Sequence, residues 1–385
     1  MKKCDKRLIL IFSFLMCISF YTPIFASFLQ ALYKLNNSQI TLLYACASLS
    51  IFLFELPTGV LSDRIGEHWA LIIGSALTAI STVLFIIGNV PLLYVGEIIF
   101  GIGSTFFSGP FDVLLYQYCE QADEELDYSE FVSRNYAVQW LALCVSFLGC
   151  SLLALLGNLV IPFYATLIAN CATFFLAFYL PKDKNRVNKK SDSVLLLAFK
   201  EICDNKDLRN KSFMNAAFSM LLVSGYQLLQ PYLSNSGIEV SYNGLLYCVA
   251  ALFASWGAFI FNKLHKVINS EKMIFVCAIL LVSGCFFCLS KASNVIVVFL
   301  TICSYRLIWG VTSPMFSFII NNSIITDECR DTVFSLISLA SNLLSSVLLF
   351  VLAMANQTSE ANYFILCLVA LLLLVGFLRE NNNSK

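Results

Sequence analysis

Ionisable side chains are rare inside the long apolar stretches of this chain, and the few that occur there are the residues most able to do chemistry. Glu97, Asp112 and Arg306 each lie within such a stretch, as does Glu55. A charge in hydrocarbon is unfavourable unless it faces a partner or a water-filled cavity, so these residues mark paths for ions or polar ligands. Their role would be ligand binding or proton carriage, and the plainer alternative is a structural ion pair.

These charges belong to polar stripes on four predicted helices. Successive residues of a helix are rotated by about 100°, so residues three or four apart share one face. The stripes are Ser13, Cys17, Tyr21 and Thr22; Glu97, Gly101, Ser104, Ser108 and Asp112; Asn215, Ser219, Tyr226 and Gln230, with Gln227 adjacent; and Arg306, Gly310, Ser313 and Ser317. We expect these faces to turn away from lipid and to line a path for substrate or ions.

Two of the stripes share a spacing that indicates an internal repeat. Glu97 precedes Gly101 by four residues, and Arg306 precedes Gly310 by four. Our hypothesis is that Glu97 and Arg306 face each other across a cavity and pair when it is empty, until substrate or a proton alters the pairing. Two alternatives stay open: a purely structural pair that holds two halves together, or a Glu97 that is simply hydrated near the outer surface.

The composition excludes several classes of protein. The chain is 59% hydrophobic and 12% charged, whereas about a quarter of the residues in a soluble domain are charged. A net charge of zero gives no reason to expect a nucleic-acid partner. The 15 cysteines are scattered through apolar runs and are interpreted as packing residues. With two histidines, no phosphate-binding loop and no metal-ligand cluster, we expect neither an enzyme nor a cofactor.

Apolar segments of about 20 residues, the length that crosses a bilayer, recur twelve times. The first is about 22 residues long, longer than the roughly 7–15 residues of a signal-peptide core, so it is interpreted as a span. The predicted spans are 8–29, 39–61, 69–89, 91–117, 134–156, 160–180, 212–233, 241–262, 273–290, 294–320, 332–354 and 361–378. The sequence therefore predicts an all-α membrane protein with twelve transmembrane helices, arranged six plus six.

Lys and Arg residues orient these spans, because cytoplasmic loops carry an excess of both. With both termini inside, 21 of the 24 Lys and Arg residues fall in cytoplasmic segments, and the outer loops hold only Lys34 and Lys291. We therefore predict a multi-pass plasma-membrane protein whose two termini are cytoplasmic.

A polar segment separates the two groups of spans. It divides the chain into 1–181, a linker at 182–211, and 212–385. The start of the linker is basic and suits the anionic inner leaflet. Val194–Cys203, capped by Ser193, has apolar residues at helical spacing and is predicted to form an amphipathic helix on the membrane. The alternative is that it is only a spacer.

A short charged turn lies between the second and third predicted spans. It reads Gly59-Val60-Leu61-Ser62-Asp63-Arg64-Ile65-Gly66. Gly59 would let helices approach closely, and Gly66 would permit a turn with positive φ. The turn resembles the signature loop of the major facilitator superfamily, G-x-L-A/S-D-R-x-G-R-K, although Glu67 and His68 replace the usual basic pair. The alternative is an ordinary interhelical turn.

The resemblance implies two pseudo-symmetric six-helix bundles whose helices 1, 4, 7 and 10 line a central path, the helices that carry the four stripes. The family's helix-4 motif begins with arginine, where this chain has Glu97. Residues 54–59, 108–118 and 226–233 are similar to segments of bacterial efflux-like members. The glycine and proline motif that antiporters carry in helix 5 is absent, which weakens the case for proton-exchange efflux.

The resemblance also implies a gate built on Gly59, Asp63, Arg64 and Gly66. In the outward-open state Asp63 would meet the start of helix 11, near Asp331–Phe334, and Arg64 would lock to an acid of helix 4. Asp112 is the candidate for that acid, as an alternative to its role in the path.

Three functions follow as hypotheses. The first is a secondary active exporter of drug-like or amphipathic compounds, driven by a proton or other ion gradient. The second is an uptake symporter for a small polar metabolite. The third is a membrane sensor or immunity protein that binds a ligand without transporting it. The expected partners are a small-molecule substrate, a coupling ion and the bilayer, and the chain is expected to be a monomer.

Overall fold

The computed structural model describes residues 6–121, 128–181, 191–236, 238–267, 271–292, 294–321, 323–324, 330–355 and 357–382. Over these residues the chain is helical and has no strand. The α-helices are α1 (Lys6–Met16), α2 (Phe25–Tyr33), α3 (Asn37–Ile65), α4 (Glu67–Ile87), α5 (Val90–Gln121), α6 (Tyr128–Ala154), α7 (Ile161–Ala177), α8 (Ser191–Asp204), α9 (Lys206–Asn235), α10 (Asn243–Val267), α11 (Glu271–Lys291), α12 (Val295–Asn321), α13 (Arg330–Ala355) and α14 (Ser359–Asn382). Short 3-10 helices, Thr22–Ile24 and Val240–Tyr242, precede α2 and α10.

Nine helices of the described chain are long and apolar enough to cross a membrane: α3 to α6 and α10 to α14. They coincide with nine of the twelve predicted spans, and the predicted class, an all-α membrane protein, is confirmed. The other three predicted spans differ for identifiable reasons. The first is broken into α1 and α2, α7 has only 17 residues, and α9 is made less apolar by the amides and hydroxyls of its polar stripe.

Where the first predicted span breaks, side chains of neighbouring helices accept hydrogen bonds from its freed backbone N–H groups. Between α1 and α2, the backbone N–H of Ser19 donates to Ser146 Oγ of α6 at 3.0 Å. The N–H of Phe20 donates to Thr166 Oγ1 of α7, also at 3.0 Å. Backbone groups freed inside a membrane must find such partners, because lipid offers none.

The helices pack into two compact units. Unit 1 comprises the described residues of Met1–Lys34, Cys46–Lys190 and Val240–Leu245. Unit 2 comprises those of Leu35–Ala45, Ser191–Glu239 and Leu246–Lys385. Two helices are therefore divided, since the first residues of α3 belong to unit 2 and those of α10 to unit 1.

In unit 1, α4 packs against α5 and α7, and α1 packs against α6 and α7. The α4–α5 contact depends on small residues: a Cβ added at Gly74 would lie 2.9 Å from Phe106 Cβ and 3.1 Å from the carbonyl oxygen of Gly103. Close backbone approach of this kind is how membrane helices gain packing without a hydrophobic driving force.

In unit 2, α11 packs against α14, and α9 packs against α12, α13 and α14. The start of α3 joins this unit through neutral hydrogen bonds. Asn37 Nδ2 donates to Ser359 Oγ at 3.0 Å, and Asn235 Nδ2 donates to Asn37 Oδ1 at 3.0 Å. Tyr44 OH donates to Gln230 Oε1 at 2.9 Å.

The predicted linker helix is present as α8, slightly longer than expected. Ala198 and Ile202 pack into a cluster with residues of α9, α12 and α13. Leu196 and Phe199 remain 67% and 59% exposed. One edge of α8 thus belongs to unit 2, and the adjacent apolar edge is uncovered. Ser193 and the basic residues before it lie outside the described side chains.

Candidate functional site

Arg306 lies between two aromatic rings of unit 2. Its guanidinium carbon is 4.7 Å from the ring centre of Tyr226 on α9 and 4.9 Å from that of Trp309 on α12. The two rings are nearly perpendicular, at 89°, with centres 5.8 Å apart. We call Arg306, Tyr226 and Trp309 the arginine clamp. Such cation–π contacts compensate part of the desolvation of a guanidinium.

The clamp is held in place by its neighbours. Tyr226 packs edge-on against Tyr247 of α10, with ring centres 5.5 Å apart. Tyr305, beside Arg306, donates its hydroxyl hydrogen to the carbonyl oxygen of Leu222 and so ties α12 to α9. The rings therefore have little freedom to leave the guanidinium.

A cavity of about 300 Å³ adjoins the clamp, and Trp309 belongs to both. Its walls come from α9, α12 and α13, and we call it the α9–α12 cavity. It is lined by Asn215, Ser219, Leu222, Val223, Trp309, Thr312, Ser313, Phe316, Ser317 and Phe334. The lining thus combines hydroxyl and amide groups with apolar and aromatic side chains around a small space.

The structure brings together Asn215, Tyr226 and Arg306, which the sequence placed in two separate stripes. Asn215 lines the cavity and accepts a hydrogen bond from Ser219 Oγ at 3.1 Å, Tyr226 packs on Arg306, and Arg306 adjoins Trp309. Sequence reasoning missed Trp309, although its position three residues after Arg306 places it on the same helix face. Gln230 is buried and bonded to Tyr44, whereas Gln227 is half-buried.

In unit 1, Glu97 is buried in α5 with 6% of its surface exposed. Tyr21 and Cys46 of α3 lie near its carboxyl group. The Tyr21 ring is buried and stacks on Phe163, with ring centres 4.6 Å apart and planes 6° apart. Asp112, further along α5, is exposed. The facing of Glu97 and Arg306 across a path stays a prediction.

The repeat of charge and glycine has a packing reason in each unit. A Cβ added at Gly101 would lie 2.8 Å from Ser50 Cβ and 2.9 Å from the carbonyl oxygen of Ala47, both on α3. A Cβ at Gly310 would overlap the backbone of Ala254 on α10. In both units, therefore, the helix that carries the charge crosses a neighbour one turn beyond it, at a residue without a side chain.

The predicted gate is described in part. Gly66 has φ 93° and is the single residue between α3 and α4, so the expected positive-φ turn is confirmed. The close helix approach expected at Gly59 is wrong, because no described atom lies within 4 Å of a Cβ built there. Arg64 is exposed. The side chains of Asp63 and Asp331 lie outside those described, and the gating contact stays a prediction.

Fold and site together define a multi-pass helical membrane protein with polar and charged side chains buried between its spans. The chain matches the family model described as Major Facilitator Superfamily over residues 8–349. It therefore belongs to the Major Facilitator Superfamily, a family of transporters and not of enzymes. Assignment to its efflux-like branch stays a prediction.

Relatives agree with that membership. The chain is 23% identical over 330 residues to the uncharacterized MFS-type transporter MJ1560 of Methanocaldococcus jannaschii, covering 82% of each chain. The crystal structure of a point mutant of the nucleoside transporter NupG matches with a TM-score of 0.80 at 13% identity, covering 97% of this chain and 99% of that one. The crystal structure of the D-xylose–proton symporter matches with a TM-score of 0.73 at 14% identity, covering 96% of both. At these identities the solved structures share the fold.

Proposed function

We propose that this protein is a secondary active transporter that exports a small amphipathic compound across the plasma membrane by alternating access, driven by a proton gradient. The observation that carries the proposal is the α9–α12 cavity, whose walls are amphipathic and which adjoins the half-buried charge of Arg306. Membership of a transporter family supports moving such a compound rather than only binding it.

The residues of the path take distinct roles in this proposal. Asn215, Tyr226 and Arg306 contact the substrate, because they line or adjoin the cavity. Glu97 carries the proton, since a buried carboxyl in a transmembrane helix can gain and lose one as its access changes. Four further residues belong to the path in this proposal: Tyr21, Asp112, Gln227 and Gln230.

The gate and the division of the chain complete the proposal. Gly59, Asp63, Arg64 and Gly66 control access from the cytoplasmic side, and Gly66 supports this by forming a one-residue turn between two long helices. The bundles 1–181 and 212–385 rock about the path, linked by 182–211. Both termini are cytoplasmic, which the distribution of Lys and Arg supports.

Uptake by proton symport is the second candidate. It is favoured by the D-xylose–proton symporter among the proteins of similar fold and by the absence of the helix-5 antiporter motif. The same site would serve either direction, because alternating access exposes it to both sides in turn.

Transport by the purified chain in proteoliposomes tests the proposal. Vesicles of known protein orientation would be loaded with a panel of amphipathic and polar compounds, and a pH gradient of either sign would be imposed. Export predicts that compound moves against the proton flow, whereas symport predicts that it moves with it. Compound movement whose rate and direction do not depend on the imposed pH gradient would contradict secondary active transport. The absence of movement of any compound would also contradict it.

A further inference from the structure

The guanidinium of Arg306 has aromatic contacts but no ion pair with the described residues of its own unit. Its contacts are the faces of Tyr226 and Trp309. Among the described residues of unit 2, no carboxylate forms an ion pair with it. A guanidinium has five N–H donors, so one that contacts two rings keeps further N–H groups with which to bind an oxyanion, the group that its planar geometry matches. The clamp therefore holds Arg306 in a conformation suited to binding a planar anion.

The cavity beside the clamp fits the rest of a small organic molecule. Its volume of about 300 Å³ is at the lower end of the range for ligand pockets, roughly 300–1,000 Å³. Asn215 lines the cavity and accepts a hydrogen bond from Ser219 through Oδ1, so its NH₂ group is the part of the amide that could donate to a ligand. Phe316 and Phe334 supply the apolar wall.

The number of cationic side chains within the predicted spans favours an anion with a single negative charge. Arg306 is the only Lys or Arg away from the ends of the predicted spans. A dianion such as a phosphate monoester would leave one charge uncompensated at this depth, where an unpaired charge is costly. A carboxylate also has the planar geometry that accepts two parallel hydrogen bonds from one guanidinium.

We infer that α9 and α12 form a binding subsite for a small organic monocarboxylate, with its carboxylate on the edge of Arg306 and its organic part in the α9–α12 cavity. The inference rests on the proposed transport function, to which it adds the substrate class.

Binding to the full-length protein in detergent tests the inference without requiring transport. The probes are matched pairs, benzoate with benzamide and hexanoate with hexanamide, and phenyl phosphate as the dianion. Titration calorimetry, with tryptophan fluorescence as a second readout, should give a dissociation constant for at least one carboxylate that is about tenfold or more below that of its amide. Phenyl phosphate should bind more weakly than benzoate.

Three variants assign the preference to the clamp. Arg306→Gln should abolish the preference for carboxylate over amide. Arg306→Lys keeps the positive charge but loses the paired N–H donors that bind a carboxylate through two hydrogen bonds. This variant should retain only part of the preference for carboxylate. Lys291→Gln removes an exposed positive charge of the same unit, at the end of α11, and should leave the preference unchanged. Monodispersity and circular dichroism identify any variant that fails to fold, and in that case the wild-type pairs decide.

The outcomes separate this inference from the proposed function. Equal binding of acid and amide, no binding of any carboxylate, or a preference that survives in a folded Arg306→Gln variant would overturn the subsite. If gradient-driven movement of a neutral or cationic compound were then observed, the transport function would stand without it. Carboxylate-selective binding with no gradient-driven movement would support the subsite and count against transport.

Discussion

At the scale of single residues, the arginine clamp shows how a charge is kept inside a membrane protein. Arg306 is held by the rings of Tyr226 and Trp309, and rings offer attraction without neutralising its charge. A carboxylate in the same position would form a stable pair and leave little affinity for a ligand. The clamp thus stabilises the arginine and preserves its capacity to bind an anion.

Replacing Trp309 by leucine should weaken substrate binding. The change removes one ring from the guanidinium and one wall from the cavity, which we expect to cost about 1–2 kcal/mol, or roughly a 5-fold to 30-fold rise in the dissociation constant. Titration of a bound substrate measures it. Trp256→Leu is the matched control, because that ring lies on α10 and is 57% exposed. Equal effects of the two changes would contradict a role for Trp309 in the site.

Replacing Glu97 by glutamine should separate binding from coupling. Glutamine has nearly the same shape but cannot release a proton, so concentrative transport should fall by roughly tenfold or more, the effect of about 1.4 kcal/mol of lost coupling. Counterflow exchange, which needs no net proton movement, should persist. Glu360→Gln, at an exposed carboxyl in the first turn of α14, is the control. Undiminished concentrative transport in Glu97→Gln would exclude Glu97 as the proton carrier.

At the scale of helices, two glycines determine where the charged helices cross their neighbours. Gly101 lets α5 approach α3 within unit 1, and Gly310 lets α12 approach α10 within unit 2. Because each glycine follows the charge by one helical turn, the crossing fixes the depth and the direction of that charge. The repeated spacing in the sequence therefore reflects a repeated packing requirement.

Replacing Gly310 by alanine should destabilise the protein and impair transport. The new Cβ would overlap the backbone of Ala254, and forcing the helices apart should cost about 1–3 kcal/mol. The thermal unfolding temperature in detergent measures this loss. Gly376→Ala in α14 is the control, since no described atom lies within 4 Å of a Cβ built there. An unfolding temperature that is unchanged in Gly310→Ala would refute the crossing as the reason for this glycine.

At the scale of the whole molecule, two long helices each contribute to both compact units. The start of α3 is bonded to Asn235 and Ser359 in unit 2. The start of α10 packs in unit 1, where the N–H of Leu245 donates to Ser151 Oγ at 2.9 Å. These bonds involve no charged side chain, so they can break and form again at modest free-energy cost. Such contacts suit a protein proposed to alternate between conformations.

Replacing Asp63 by asparagine tests the proposed gate at the same scale. The change keeps the size of the side chain and removes its charge, so turnover should fall by about tenfold while substrate affinity stays within about twofold. Initial rates and equilibrium binding measure the two quantities separately. Asp204→Asn, at the exposed end of α8, provides the control. Unchanged turnover would remove Asp63, in the last turn of α3, from the mechanism.

The sequence by itself determined the membrane class, most of the spans and the family. These properties are local: apolar length decides whether a segment can cross a bilayer, and the turn ending at Gly66 carries its signal in adjacent residues. It also identified the polar stripes, because helical periodicity places Asn215 and Ser219, or Glu97 and Gly101, on one face. Periodicity could not foresee that the first span breaks after Met16, since the break depends on Ser146 and Thr166, more than a hundred residues away.

Only the tertiary structure decided which polar residues meet. Helical periodicity could not predict that Tyr226 and Trp309 would contact the same guanidinium, because they lie on α9 and α12 and approach only when those helices pack. The sequence also suggested a close approach at Gly59, where no described atom lies within 4 Å of an added Cβ, whereas close crossings do occur at Gly101 and Gly310. A helix face follows from one segment, whereas a binding site depends on distances between segments, and those are fixed by packing.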